Sequence, residues 1–172
     1  MKQSFRSLIE ERLKKLPALA QKKFSENRKY FERLRNKTPR NLDVVVEEIH
    51  DEVFAKTDCT QCANCCKTTG PLFKQKDIER LAAHKKIRPA EFVTKYLRVD
   101  EDGDYVLQKV PCVFLDQNNL CTVYDIRPQA CREYPHTNRK KIYQIADMTL
   151  KNVAICPAAF EIIERMKKAL PL

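Results

Sequence analysis

Cys59-Thr60-Gln61-Cys62-Ala63-Asn64-Cys65-Cys66 decides how this 172-residue chain is read, because four of its eight cysteines stand there at two-residue gaps. Such gaps let tight turns aim successive sulfurs at one ion or cluster, a convergence that disulfides do not need. Adjacent residues such as Cys65 and Cys66 point their side chains in different directions, so they suit two neighbouring centres better than a single ion. Cys112, Cys121, Cys131 and Cys156 follow as widely spaced singles. Eight thiolates make two four-sulfur sites, or one site with spare thiols, and two sites is the preferred count.

The rest of the composition narrows the choice. At 20.2 kDa the chain has room for one domain with a real apolar core and an appendage. The start, Met1-Lys2-Gln3-Ser4-Phe5-Arg6, lacks the apolar run of a secretory signal. No stretch approaches the roughly 20 apolar residues of a membrane span, so a cytoplasmic location is expected. In that reducing compartment cysteines hold metal or do redox chemistry rather than form a disulfide framework. Only two glycines occur, Gly70 and Gly103, which excludes a Gly-rich phosphate cradle or dinucleotide fingerprint. The net charge of +10 is uneven: residues 1–41 carry 13 Lys and Arg against 4 Asp and Glu, while the remainder is almost balanced.

Apolar residues at Phe5, Leu8, Ile9, Leu13, Leu16, Phe24, Phe31 and Leu34 recur at three- and four-residue steps, predicting an amphipathic helical arm over 1–41. Pro17 predicts two helices there, or one kinked helix. The cysteine-cluster domain is expected over 42–172. It begins with a helix from about Asp43, with Val45, Val46, Ile49 and Val53 on one face. Short helices are predicted over Asp77 to His84, Pro89 to Leu97, from Pro128, and over Pro157 to Leu170. Strand signals are fewer: Tyr105-Val106-Leu107 after an Asp-Gly turn, and a hairpin pairing Val113-Phe114-Leu115 with Leu120-Cys121-Thr122-Val123. Residues 138–154 fit no single pattern. The expected fold class is α+β and predominantly helical, with one or two short hairpins beside the basic helical arm.

Beyond the octet the chain reads Pro111-Cys112-Val113-Phe114-Leu115, then Cys121-Thr122-Val123-Tyr124-Asp125-Ile126-Arg127-Pro128, then Cys131-Arg132-Glu133-Tyr134-Pro135, and finally Cys156-Pro157. Together with the octet this pattern resembles the YkgJ-like cysteine cluster (CxxCxxCC) proteins, described as zinc- or iron-chelating, over roughly residues 55 to 160. The resemblance implies metal-ligand roles for Cys59, Cys62, Cys65, Cys66, Cys112, Cys121, Cys131 and Cys156. A related cysteine-rich segment occurs in flagellin lysine methylases, whose chains are much longer.

The cofactor is an iron-sulfur cluster or Zn2+. Structural zinc sites usually pair two short Cys-x-x-Cys knuckles, and only one half of this sequence supplies them. Cys59, Cys62 and Cys65, with the distant Cys156-Pro157, echo the bacterial ferredoxin run, so the spacing leans towards iron-sulfur. Arg127 and Arg132 flank Cys131 and could donate to sulfur and offset thiolate charge, or else form ordinary ion pairs with Asp125 and Glu133. His136 is an alternative ligand, whereas His50 and His84 fit surface or core positions.

Three functions compete. The first is a metal-binding module without catalysis of its own. The second is an iron-sulfur redox or protein-modifying enzyme resembling flagellin lysine methylase. In the third the basic arm lies on nucleic acid, on an acidic membrane surface or against an acidic protein partner, with the metal domain as scaffold. Neither a carboxylate pair nor a nucleophile and base can be picked out for catalysis.

Overall fold

The computed structural model describes residues 2–172, with side chains from Leu8 onward. Phe5, part of the predicted apolar stripe, lies outside the described side chains. In chain order the elements are α1 (Lys2–Asn36), α2 (Leu42–Phe54), α3 (Cys59–Cys62), α4 (Asn64–Thr68), β1 (Leu72–Phe73), α5 (Gln75–Lys85), α6 (Pro89–Tyr96), β2 (Leu97–Val99), β3 (Tyr105–Leu107), α7 (Gln129–Glu133), α8 (Ala146–Val153) and α9 (Pro157–Ala169), with 3₁₀ turns at Tyr124–Ile126 and Ile142–Ile145. The chain is α+β and mostly helical, as its sequence patterns predict. It folds as two compact units: residues up to Cys62 together with Pro135–Leu172, and Ala63–Tyr134. No helix among the described residues is long and apolar enough to cross a membrane.

The first unit is a helical bundle. Leu42, Val46, Ile49 and Val53 recur at four- and three-residue steps along α2 and are buried. Against them α9 sets Ala158, Ala159, Ile162, Ile163 and Met166, with α8 and α1 closing the same core. Each fully buried large aliphatic here contributes roughly 1.5–3 kcal/mol. From α1 the buried stripe is Leu16, Ala20, Tyr30, Phe31 and Leu34, with Asn27 also buried and accepting from Lys167 Nζ at 2.8 Å. Phe24 and Leu8, expected on that face, are exposed.

Pro17 does not divide α1, which runs unbroken from Lys2 to Asn36. Proline removes one backbone donor, but the burial of Leu16 and Ala20 beside it anchors the helix on the core. Residues 138–154, without a clear pattern in sequence, form the second 3₁₀ turn and α8. Ile142 and Val153 are buried there and Asn152 Nδ2 donates to the Pro135 carbonyl at 3.2 Å.

The second unit is built on α5, α6 and an antiparallel sheet of order β1-β3-β2. Leu97 pairs with Leu107, and Val99 with Tyr105, across a turn in which Gly103 takes φ +83. Phe92, fully buried, lies 6.3 Å from the Phe73 ring, 4.9 Å from Tyr96 and 6.2 Å from Phe114. Gly70 fits where it does because an added Cβ would come within 3.3 Å of Leu107 Cβ.

Two sequence expectations change in this unit. The helix from Pro89 stops at Tyr96, and Leu97 starts a strand because its side chain fills the core opposite Leu107. The hairpin expected over Val113–Val123 contracts to a single bridge, Leu115 with Cys121, because Asp116 satisfies the turn's amides itself. Its Oδ1 accepts the N–H groups of Asn118 and Leu120, each at 2.8 Å.

Candidate metal centre

None of the eight cysteines is in a disulfide; Cys59 is exposed and the other seven are half-buried. They fall on both units, and within each unit local folding gathers them.

In the second unit the helix break between Cys62 and Cys65 is made by Ala63 at φ +48, after which α4 presents Cys65 and Cys66. Their sulfurs are 3.9 Å apart. The Cys66 carbonyl accepts the Cys112 N–H at 2.7 Å, which fixes the second cysteine segment on the first. The Asp116–Leu120 turn then returns the chain, so that Cys121 stands opposite Leu115, and Thr122 N–H donates to the Phe114 carbonyl at 2.8 Å. Pro128 ends the next loop and opens α7, where Cys131 N–H donates to the Pro128 carbonyl at 3.0 Å.

The result is a group of four, Cys66, Cys112, Cys121 and Cys131, in which every sulfur lies in the electrostatic reach of the other three. Burial, reinforced by Cys66, Cys112 and Cys121, pushes the Cys131 thiol up to about 12. Burial likewise raises Cys112 to about 11, with Cys66 and Cys121 adding repulsion while the amides of Phe114 and Leu115 oppose it. Cys121 is raised by burial and drawn back by the Val123 amide and Arg127. Cys66 moves the other way, to about 7, through its hydrogen bond with Cys65 and the charge of Lys67, against the effect of burial.

In the first unit Cys59 and Cys62 share the single turn of α3, a three-residue spacing that puts both on one side. Both act electrostatically on Cys156, the N-cap of α9, which burial pushes up to about 11. The amides of Ala159 and Ala158 at the start of α9 oppose that rise, because backbone N–H groups favour the thiolate.

Amides two or three residues beyond Cys112, Cys121 and Cys156 thus face their sulfurs, a setting that suits metal-bound thiolates. The sulfurs are electrostatic neighbours and not a closed coordination shell: among the described residues no three His, Cys, Asp or Glu side chains stand in a metal-holding arrangement. Donor chemistry still fits a soft, thiophilic metal. Four half-buried thiols that repel one another on ionising are relieved by a shared cation.

Of the two flanking arginines, Arg127 opposes, as the smallest of the influences, the rise that burial causes in Cys121 and Cys131, with its guanidinium 3.9 Å over the Tyr124 ring. Arg132 instead donates to the carbonyls of Arg127 at 3.2 Å and Asp125 at 3.0 Å, bracing the loop from which Arg127 projects. His50 is bound to Thr137 Oγ1 at 2.9 Å beside Phe54, and burial lowers its pKa.

Asp77 and Arg80 carry the site and escape sequence reading. Asp77 is 3% exposed, and its Oδ1 meets Arg80 Nη2 at 2.5 Å and the Gln129 N–H at 3.2 Å. Arg80 also donates to the carbonyls of Ile126 and Arg127, both at 3.0 Å. The pair therefore grips Ile126–Gln129, the segment that sets Cys131 and Arg127 in place. A carboxylate at the third residue of a helix is a capping signal in sequence. Nothing local reveals that the same carboxylate is buried under a cysteine loop 50 residues away.

The family model CxxCxxCC, "Putative zinc- or iron-chelating domain", matches residues 58–156 and takes in all eight cysteines. The chain belongs to the CxxCxxCC family. No curated protein and no solved structure matches it. For a CxxCxxCC chain, zinc or iron chelation is the described property.

Proposed function

We propose that this protein is a metal-binding module in which Cys59, Cys62, Cys65, Cys66, Cys112, Cys121, Cys131 and Cys156 serve as thiolate ligands at two centres, with Arg127 offsetting charge at one of them. The mutual reach of Cys66, Cys112, Cys121 and Cys131 carries the reading, since three separate chain segments bring four thiols together with no disulfide formed. Metal would draw these sulfurs into a coordination shell and hold the segments together. That contribution is roughly 10 kcal/mol or more if zinc-finger energetics transfer.

Iron-sulfur is the favoured occupant. Cys59, Cys62 and Cys65 at two-residue gaps, with Cys156 followed by Pro157, follow the ferredoxin order of ligands. Zinc is the second reading, since four thiolates with facing amides suit it equally in charge. Bound zinc would supply structural stability, and a bound cluster would add electron transfer or Lewis acidity, the route to a redox or protein-modifying enzyme.

Anaerobic purification, elemental analysis and an absorption spectrum test the proposal. A brown protein that bleaches reversibly with dithionite supports iron-sulfur, and a colourless protein with stoichiometric zinc supports the scaffold reading alone. Replacing Cys131 or Cys62 by serine should release metal. Full metal content and unchanged stability in both variants would overturn the ligand assignment.

A further inference from the structure

Part of the positive charge on α1 is answered where it stands, while Lys14, Lys22 and Lys29 lie scattered along the helix without an ion pair among the described residues. Arg12 pairs with Glu161, Lys23 with Glu26 and Glu164, and Arg28 with Glu32. The last turn and the loop after it gather unpaired cations without an acidic neighbour in sequence before Asp43. Arg35, Lys37 and Arg40 are exposed and enter no ion pair among the described residues. Arg139, Lys140 and Lys141, about a hundred residues on, are also exposed and enter no ion pair among the described residues.

The first unit brings these two segments together. Lys141 N–H donates to Asp43 Oδ1 at 2.7 Å, three residues beyond Arg40, and Arg35 Nη2 reaches the Tyr143 carbonyl at 3.4 Å. Both segments are held firmly. Thr38 Oγ1 closes the end of α1 on the Leu34 carbonyl at 2.8 Å, and Ile142, fully buried, pegs the basic turn in the core directly after Lys141 at φ +52. Within residues 35–43 and 139–145 Asp43 is the only acidic residue, so six cations share one carboxylate. Six like charges on a fixed surface repel one another, and a polyanion with closely spaced charges relieves that repulsion.

We propose that the surface formed by Arg35, Lys37, Arg40, Arg139, Lys140 and Lys141 binds the phosphate backbone of a nucleic acid. Such contacts need cations on a firm base and no pocket, and they carry affinity without reading sequence. A membrane surface site normally adds an apolar anchor, and no large hydrophobic side chain is exposed within either basic segment. The proposal stands apart from the metal assignment, since none of these residues is a cysteine.

The test uses the full metal-loaded chain and a fluorescent single-stranded RNA 20-mer, followed by anisotropy from 50 to 300 mM salt. Binding through about four phosphates gives a slope of log K against log salt near −3, because each contact on a single strand contributes about −0.7. The triple variant Arg139→Glu, Lys140→Glu, Lys141→Glu should flatten the slope by about 2 and weaken binding at least tenfold at 100 mM salt. A variant with the same charge change elsewhere on α1, Lys14→Glu, Lys22→Glu, Lys29→Glu, should weaken it less than threefold. The milder pair Arg35→Gln, Arg40→Gln gives an independent reading should the triple variant fail to fold. Equal losses in the patch and control variants, no RNA binding at 50 mM salt, or binding to phosphatidylserine vesicles in place of RNA would each overturn the proposal.

Discussion

Arg80→Ala removes two contacts from the loop that carries Cys131 and, with them, the ion pair to Asp77. Asp77 would keep the Lys74 and Gln129 amides, at 3.1 and 3.2 Å, but lose its ion pair with Arg80 while 3% exposed. Breaking a buried pair by deleting one partner costs roughly 3–5 kcal/mol. Arg80 is one-third exposed, so the lower end applies, about 3 kcal/mol including the two lost bonds to the Ile126 and Arg127 carbonyls. Because the grip is local, amide exchange at Gln129 and Cys131 should accelerate more than exchange in α9, and metal should pass faster to a competing chelator. Arg80→Lys keeps the charge but not the fork geometry, and should recover only part of the loss. Less than 0.5 kcal/mol of destabilisation (by guanidinium titration), with unchanged chelator kinetics, would refute the assignment of this pair as the brace of the cysteine loop.

Lys86 closes α5 at φ +57 while exposed, so Lys86→Gly should stabilise the second unit by about 1 kcal/mol in denaturant titration. Tyr30 donates to the carbonyls of Met166 at 3.1 Å and Leu170 at 3.2 Å, and burial holds its pKa up at about 12 against 10 for the free side chain. The folded state then keeps a proton that the unfolded state releases, so this contribution is intact below pH 10 and is lost as pH rises from 10 to 12. Tyr30→Phe should cost about 1 kcal/mol at pH 7 and lose this part of the alkaline dependence, seen by following unfolding at several pH values.

What was legible in the sequence was whatever repeats at short range. The α2 face, the start of α9 at Pro157 and the cysteine spacings are fixed by local periodicity, and folding leaves them where the pattern puts them. The misreadings came from tertiary context. Phe24 fits the α1 stripe by residue type, yet the core takes Ala20, Asn27 and Tyr30, because α9 supplies Met166 and Lys167 as partners. Leu97 continues a helical pattern, yet pairing with Leu107 makes it a strand residue. At the site, the eight cysteines stand out by composition, whereas their grouping depends on the Asp116 turn and the Asp77–Arg80 grip. Both show locally, the first as a turn between two apolar runs and Asp77 as a capping carboxylate, but neither tells which cysteines it brings together. Residues 138–154 were opaque because a 3₁₀ turn and an eight-residue helix are too short to show a period.

The two units should depend on metal to different degrees, and the cores say which depends more. The first buries 18 core residues drawn from four helices, the 3₁₀ turn at Ile142 and Leu170 after α9, and only Cys59, Cys62 and Cys156 of its residues are thiols. The second buries nine, and all nine lie between Phe73 and Val123. From Gln108 to Tyr134 it has one isolated bridge, one 3₁₀ turn and a five-residue helix, with Phe114 and Val123 as its fully buried apolar anchors. So small a core leaves little margin against chain entropy, and a segment so poor in regular structure needs cross-links to hold it. Stripping metal with a chelator should therefore release amide protection across residues 108–134 first, while the Ile162 and Ile163 amides of α9 stay protected. Simultaneous loss in both regions would mean that the apolar core of the first unit does not stand without metal, and retention in both would mean that thiolate ligation contributes no folding energy at all.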